Sequence, residues 1–152
     1  MNPAPSRVVA EMHGPVESRG YLIDNSILQK LARSPAILRR FAEITNRHPI
    51  YSCPPQVLEY CWSARNPAEY AELRQDMELY TPAAIHPPQS VVLDIQQALW
   101  NAGMMRGAGN DDVLIAAYAV VNGLTILTAD HDFGHLQRAL PEGMLRQEFV
   151  PE

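Results

Sequence analysis

Three short, β-prone apolar stretches, at 20–24, 48–53 and 124–128, are separated by segments with helical apolar spacing, and this alternation limits the fold more than any other feature. Strands that leave through helices return parallel to one another, and a parallel sheet needs cover on both faces. The expectation is an α/β fold with a central parallel sheet between helices.

The intervening segments carry their own start and stop signals. Ile27, Leu28 and Leu31, then Ile37, Leu38, Phe41 and Ile44, keep helical spacing on either side of Ser34-Pro35, where proline suits the start of a second helix. Pro54-Pro55 opens a helix through Val57, Leu58, Cys61 and Trp62, with Glu59 on its first turns. Asn66-Pro67 starts another over Tyr70, Leu73, Met77 and Leu79. The proline-rich segment 81–90 is a connection with room for a brief strand, and a further helix covers 91–102. After the glycine-rich loop at 103–110, Asn110 or Asp111 offers an N-cap, and 113–121 is too rich in alanine and valine to face solvent. Asn122-Gly123 ends that helix in the left-handed conformation these residues tolerate best. Residues 1–18, with three prolines and no apolar periodicity, read as a loose tail before one domain at 19–150.

A length of 152 residues suits one domain with a real core, and 47% hydrophobic with 19% charged residues excludes a disordered or fibrous chain. No apolar run approaches the roughly 20 residues that span a bilayer, and no signal peptide is evident at the start, so a cytoplasmic, reduced setting is expected. Cys53 and Cys61 lack CxxC spacing and read as packed thiols. A net charge of -5 argues against coating nucleic acid by bulk attraction, though not against a local basic rim. Lys30 is the only lysine among 12 basic residues; an arginine-rich set suits bidentate contacts to phosphate, and composition bias accounts for it equally well.

The crevice of such a sheet lies beyond the carboxyl ends of its strands. Asp24 follows the first strand directly, and Asp130 lies two residues past Thr128 at the end of a later one. Asp112 falls in the first turn of the buried helix, where dipole and free amides stabilise an anion by about 0.3 to 1 kcal/mol. Glu59 is placed similarly, and Asp132 lies close to Asp130 in sequence. Alone, each acid has an ordinary use: Asp111 and Asp112 as caps, Asp24, Asp130 and Asp132 as turn or cap residues, Glu59 on a solvated face. Together, four separate elements bring carboxylates to one edge, and such a cluster is usually relieved by a divalent metal held by hard oxygen ligands. No GxxxxGK[ST] loop cradles a phosphate, and no histidine stands with an adjacent nucleophile pattern, so NTP hydrolysis and covalent catalysis have little support. A receiver-type phosphoacceptor lacks its lysine after the last strand, and a haloacid-dehalogenase phosphatase lacks its second aspartate, because Asp24 is followed by Asn25 and Ser26.

In their order and spacing, YLIDNSIL, LEYCWSAR, NDDVLIAAYA and LTADHDF resemble the PIN-domain ribonucleases, and among them the VapC toxins of bacterial toxin-antitoxin modules, over roughly residues 20–140. The resemblance implies a PIN-like three-layer α/β/α sandwich and cleavage of RNA that depends on Mg²⁺ or Mn²⁺. It selects Asp112 over Asp111, because the family's aspartate lies two positions before the Leu-Ile-Ala-Ala stretch. In the last block it ranks Asp130 first, with Asp132 as a supporting or alternative ligand. On this footing Asp24 and Asp112 are the principal metal ligands, Glu59 completes the shell or orients the water, and Asp130 binds through water or at a second site.

Ser26 matches the family's small hydroxyl and is expected to hydrogen-bond a carboxylate, as is Thr128; a local backbone role stands beside both expectations. Arg65 and Arg106 are the basic residues nearest the motifs, placed to meet the RNA backbone or to form surface salt bridges. His131 and His135 have i, i+4 spacing but no third ligand of that kind and read as surface histidines. Trp62, Trp100 and Tyr118 fall among apolar helix positions and read as core or dimer packing ahead of base stacking. The resemblance further implies a small VapB-like antitoxin that wraps the toxin and plugs its site, and a homodimer. The tail at 1–18 departs from the typical toxin. The rival reading is a non-catalytic PIN-fold binding or scaffold module, against which the intact acid set argues.

Overall fold

The computed structural model describes residues 19–152, so the expected tail lies outside the described residues. Five strands, β1 (Tyr21–Ile23), β2 (Ile50–Ser52), β3 (Thr81–Pro82), β4 (Thr125–Thr128) and β5 (Arg146–Phe149), form one wholly parallel sheet in the order β3-β2-β1-β4-β5. Seven described helices connect and flank them: α1 (Asn25–Lys30), α2 (Pro35–Thr45), α3 (Pro54–Trp62), α4 (Pro67–Met77), α5 (Gln89–Asn101), α6 (Asn110–Asn122) and α7 (Asp132–Ala139).

The strands alternate between two cores. Leu22 and Ile126 join the larger apolar cluster under α5, α6 and α7, whereas Ile23 and Leu127 join a second one with Ile27, Ile37 and Ile44 of α1 and α2. Successive strand side chains point to opposite faces, so these tripeptides and tetrapeptides must be apolar almost throughout. The result is the three-layer α/β/α sandwich with a central parallel sheet.

Local signals set the helix boundaries. Ser34 Oγ accepts from the backbone N–H of Ile37 at 3.3 Å, Asn66 Oδ1 accepts from that of Glu69 at 2.9 Å, and Gly123 ends α6 with φ 67°. Two expectations shift. The N-cap of α6 is Gly109 rather than Asn110 or Asp111, because Asp112 Oδ2 reaches back to accept from the Gly109 N–H at 3.3 Å. Helix α4 stops at Met77 and leaves Leu79 82% exposed. Tyr118 is buried as expected, but Trp62 and Trp100 are 88% and 51% exposed and lie outside the core.

The strand order places the functional edge. β1 lies between β2 and β4, so the chain winds outward in one direction through β2 and β3 and in the other through β4 and β5. Loops that leave the carboxyl ends of β1 and β4 part from each other and open a crevice there.

Candidate active site

Asp24 stands at that switch point. Its backbone N–H donates to the Leu127 carbonyl at 3.0 Å, which continues the β1–β4 ladder one residue past the strand. The side chain is buried, and its Oδ2 accepts from Thr128 Oγ1 at 2.9 Å and from Ser26 Oγ at 2.5 Å. Burial pushes the Asp24 carboxyl up, the two hydroxyls oppose the rise, and the nearby charge of Asp130 adds to it. Ser26 and Thr128 thus do what was expected of them and also position backbone. Ser26 Oγ accepts from the Ala129 N–H at 2.9 Å, and Thr128 Oγ1 accepts from the Asp130 N–H at 3.0 Å.

The same hydroxyls fix the turn that carries the last two acids. Asp130 Oδ1 accepts from the Asp132 N–H at 3.2 Å, so Asp130 serves the start of α7 while its charge faces Asp24 and Glu59. Asp132 is the carboxylate against Asp112. Burial pushes the Asp112 carboxyl up to about 7, helped by a hydrogen bond and repulsion from Asp132 and by repulsion from Asp24; the Gly109 N–H opposes the rise. Asp112 is thus held well above the ordinary carboxylate range, with Asp132 against it.

Glu59 opens to solvent on the second turn of α3. Partial burial of its carboxyl raises its pKa, and the charges of Asp24, Asp111 and Asp130 raise it further, against a hydrogen bond from Asn25. Three acids on β1, α3 and α6 are thus each held above the ordinary carboxylate range, and neighbouring acids contribute in every case.

The structure adds residues that the sequence did not single out. Asn25 and Gln56 are both buried and form a reciprocal pair: Asn25 Nδ2 donates to the Gln56 carbonyl at 2.9 Å, and Gln56 Nε2 donates to Asn25 Oδ1 at 2.8 Å. This pair ties the residue after Asp24 to the first turn of α3, and so ties Asp24 to Glu59. An asparagine following the first aspartate was the available signal. Asp111, next to Asp112, turns outward beside Glu59 into a groove of about 570 Å³ lined also by Leu58, Trp62, Leu114 and Tyr118. Consecutive helical residues diverge by about 100°, which separates the two aspartates' roles.

The other sequence candidates divide. Arg65 is exposed and pairs with Glu69 at 3.0 Å on the surface, beside a hollow of about 660 Å³ with Trp62 and Tyr70. Arg106 is exposed in the glycine-rich loop and makes no ion pair among the described residues. His131 and His135 do not act together: His135 Nδ1 lies 2.7 Å from the Gly107 carbonyl, whereas the His131 ring stacks on Phe149. Both cysteines are free and buried, and burial pushes the Cys53 thiol up to about 12, so it carries no thiolate at neutral pH.

The donor set consists of carboxylate, hydroxyl and carbonyl oxygens, the chemistry of Mg²⁺ and Mn²⁺ rather than of zinc or copper. Among the described residues no three Asp, Glu, His or Cys side chains close on one point in this conformation. The donors fit a hard divalent ion in kind. No described helix is long and apolar enough to cross a membrane.

Comparison with known proteins gives this arrangement a family. The PIN-domain family model matches residues 21–139. Ribonuclease VapC21 of Mycobacterium tuberculosis is 30% identical over 119 residues, covering 74% of this chain and 83% of the relative. Ribonuclease VapC6 of the same organism is 33% identical over 100 residues, covering 63% and 77%. Among solved structures, VapBC2 from Rickettsia felis bound to a promoter DNA fragment superposes with a TM-score of 0.64 at 15% identity, covering 86% of this chain and 98% of that one. VapBC-5 from Mycobacterium tuberculosis, of the VapBC family of toxin-antitoxin systems, gives 0.58 at 19% identity, covering 87% and 99%. At those identities the superpositions show the fold alone; family membership rests on the domain match and the sequence relatives. The chain belongs to the PIN-domain family, in its VapC branch.

Proposed function

We propose that this chain is a VapC-like toxin, an endoribonuclease that hydrolyses RNA phosphodiester bonds at the carboxylate cluster beyond β1 and β4 and depends on Mg²⁺ or Mn²⁺. The observation that carries this reading is the gathering of Asp24, Glu59 and Asp112 from three separate segments at one sheet edge, where burial and neighbouring acids raise each carboxyl. Carboxylates that repel one another in a partly buried crevice are relieved by a cation.

When bound, a divalent ion supplies charge neutralisation at the scissile phosphate and lowers the pKa of the attacking water. Asp24 and Asp112 are assigned as its principal protein ligands. Glu59, more open to solvent, completes the shell or orients the water. Asp130 and Asp132 divide the remaining work: Asp132 faces Asp112 and adds charge there, while Asp130 fixes the α7 turn and adds charge toward Asp24 and Glu59. Ser26 and Thr128 hold Asp24 Oδ2 in one orientation. Arg106, exposed and without an ion pair among the described residues, and Arg65, which must first leave Glu69, are assigned to the RNA backbone.

The VapBC neighbours support an antitoxin partner for this chain as well; a homodimer is part of the same proposal and rests on the family resemblance. The exposed apolar groove of Leu58 and Trp62 next to Glu59 is compatible with a partner chain that covers the site. The test is incubation of purified, antitoxin-free protein with total RNA in Mg²⁺ or Mn²⁺ and in EDTA. Cutting that requires the metal supports the reading. Intact RNA with folded, metal-loaded protein favours the non-catalytic binding module.

A further inference from the structure

The last acidic block carries an aromatic feature that metal chemistry does not use. His131 lies between Asp130 and Asp132, and its ring stacks on Phe149 with centroids 4.5 Å apart and planes within 21°. Phe149 ends β5, where it pairs in register with Thr128, the residue whose hydroxyl holds Asp24. The stack therefore stands one strand away from the carboxylate crevice, about 5 Å across the sheet, at the same carboxyl edge. Phe149 covers one face of the imidazole, yet His131 remains exposed and Phe149 itself is 36% exposed. The pair thus presents an open aromatic face at the same sheet edge as the carboxylate crevice.

We propose that the His131–Phe149 stack is the platform for a nucleobase of the substrate strand next to the scissile phosphate. The inference rests on the ribonuclease reading of the neighbouring carboxylates and adds to it a residue that sets affinity and base preference. Single-stranded RNA presents unstacked bases, and histidine and phenylalanine rings are among the surfaces on which such bases settle. Phe149 holds the imidazole plane in place, so less rotamer freedom is lost when a base lands on its open face. A purine offers the larger π-surface and is the preferred occupant. His131 acts here as a binding group: it touches the base and takes no part in moving a proton.

Steady-state cleavage of short single-stranded oligoribonucleotides that differ only at the bases flanking the cut site tests this, with wild type, His131→Ala, His131→Tyr and Phe149→Ala compared. The expected result is a KM about 10-fold higher for His131→Ala with kcat little changed, restoration by His131→Tyr, and a smaller rise for Phe149→Ala. The purine preference at one flanking position should shrink with the same ranking. A parallel thermal melt establishes that each variant is folded, and His131→Tyr retains an aromatic ring if alanine loosens the α7 start. An unchanged KM in folded His131→Ala, or no rescue by tyrosine, overturns the stacking role while leaving the nuclease intact. Failure of the wild type to cut any RNA in Mg²⁺ or Mn²⁺ overturns the nuclease reading and this inference with it.

Discussion

Asp112→Asn should make the metal-free protein more stable while it abolishes cleavage. Burial and Asp132 hold the Asp112 carboxyl at about 7, against an ordinary 3.8. A carboxyl raised in this way keeps its proton in the folded state over a pH range where the unfolded chain has released it. Stability therefore falls as pH climbs from about 4 to about 7 and levels off above that. The full difference corresponds to an upper bound of about 4 kcal/mol. Because Asp112 is only half-buried and the site opens to water, about 1 to 2 kcal/mol is the realistic gain. For a chain of this size that is a Tm increase of about 3 to 6 °C. Asparagine keeps the shape and the oxygen that accepts from Gly109, so packing is conserved. Thermal melts in EDTA at pH 8 and pH 4 read the effect. The gain should be present at pH 8 and absent at pH 4. An equal shift at both pH values, or a variant less stable than wild type at pH 8, would refute the argument that charge repulsion at Asp112 is stored in the fold.

Affinity for Mg²⁺ should increase as pH rises from about 6 to 8, because Asp112 must give up its proton to ligate; calorimetric titrations in two buffers should show proton release on binding. Thr128→Val removes the donor to buried Asp24 and the acceptor for the Asp130 N–H, and should cost about 1 to 3 kcal/mol in chemical denaturation while also lowering cleavage. Arg40→Ala breaks the two-pronged contact from α2 to Glu148 on β5, at 2.7 and 2.9 Å; it should cost about 1 kcal/mol and speed amide exchange along β5, with metal affinity unchanged.

The middle of the fold was legible because its signals are local. Ser34-Pro35, Pro54-Pro55, Asn66-Pro67 and Asn122-Gly123 each mark a helix end by the backbone chemistry of those residues, and the structure ends or starts helices at all four. The end of the chain was not legible for the opposite reason. β5 reads Arg-Gln-Glu-Phe, with no apolar run, because an edge strand buries little of itself and is held by ladder hydrogen bonds and by Arg40, 108 residues away. The acids illustrate the same division. Their gathering at one edge follows from the parallel sheet that alternation foretells, with the strand order supplied by the structure. Which of them face each other does not: Asp132 meets Asp112 because α7 begins at Asp132, whose N–H donates to Asp130 Oδ1, a matter of one turn's geometry. The Asn25–Gln56 pair spans 31 residues and has no periodic signature at all.

The most direct test of the central claim is cleavage in H₂¹⁸O under single turnover with Mg²⁺ or Mn²⁺, followed by mass analysis of the product ends. Hydrolysis by a water placed at the carboxylate cluster predicts one ¹⁸O in the newly formed terminal phosphate for each cut, lost with EDTA and with Asp112→Asn. Product carrying a 2′,3′-cyclic phosphate would show that a ribose hydroxyl rather than water attacks; that result, or cutting that persists without metal, would contradict the assignment of these carboxylates.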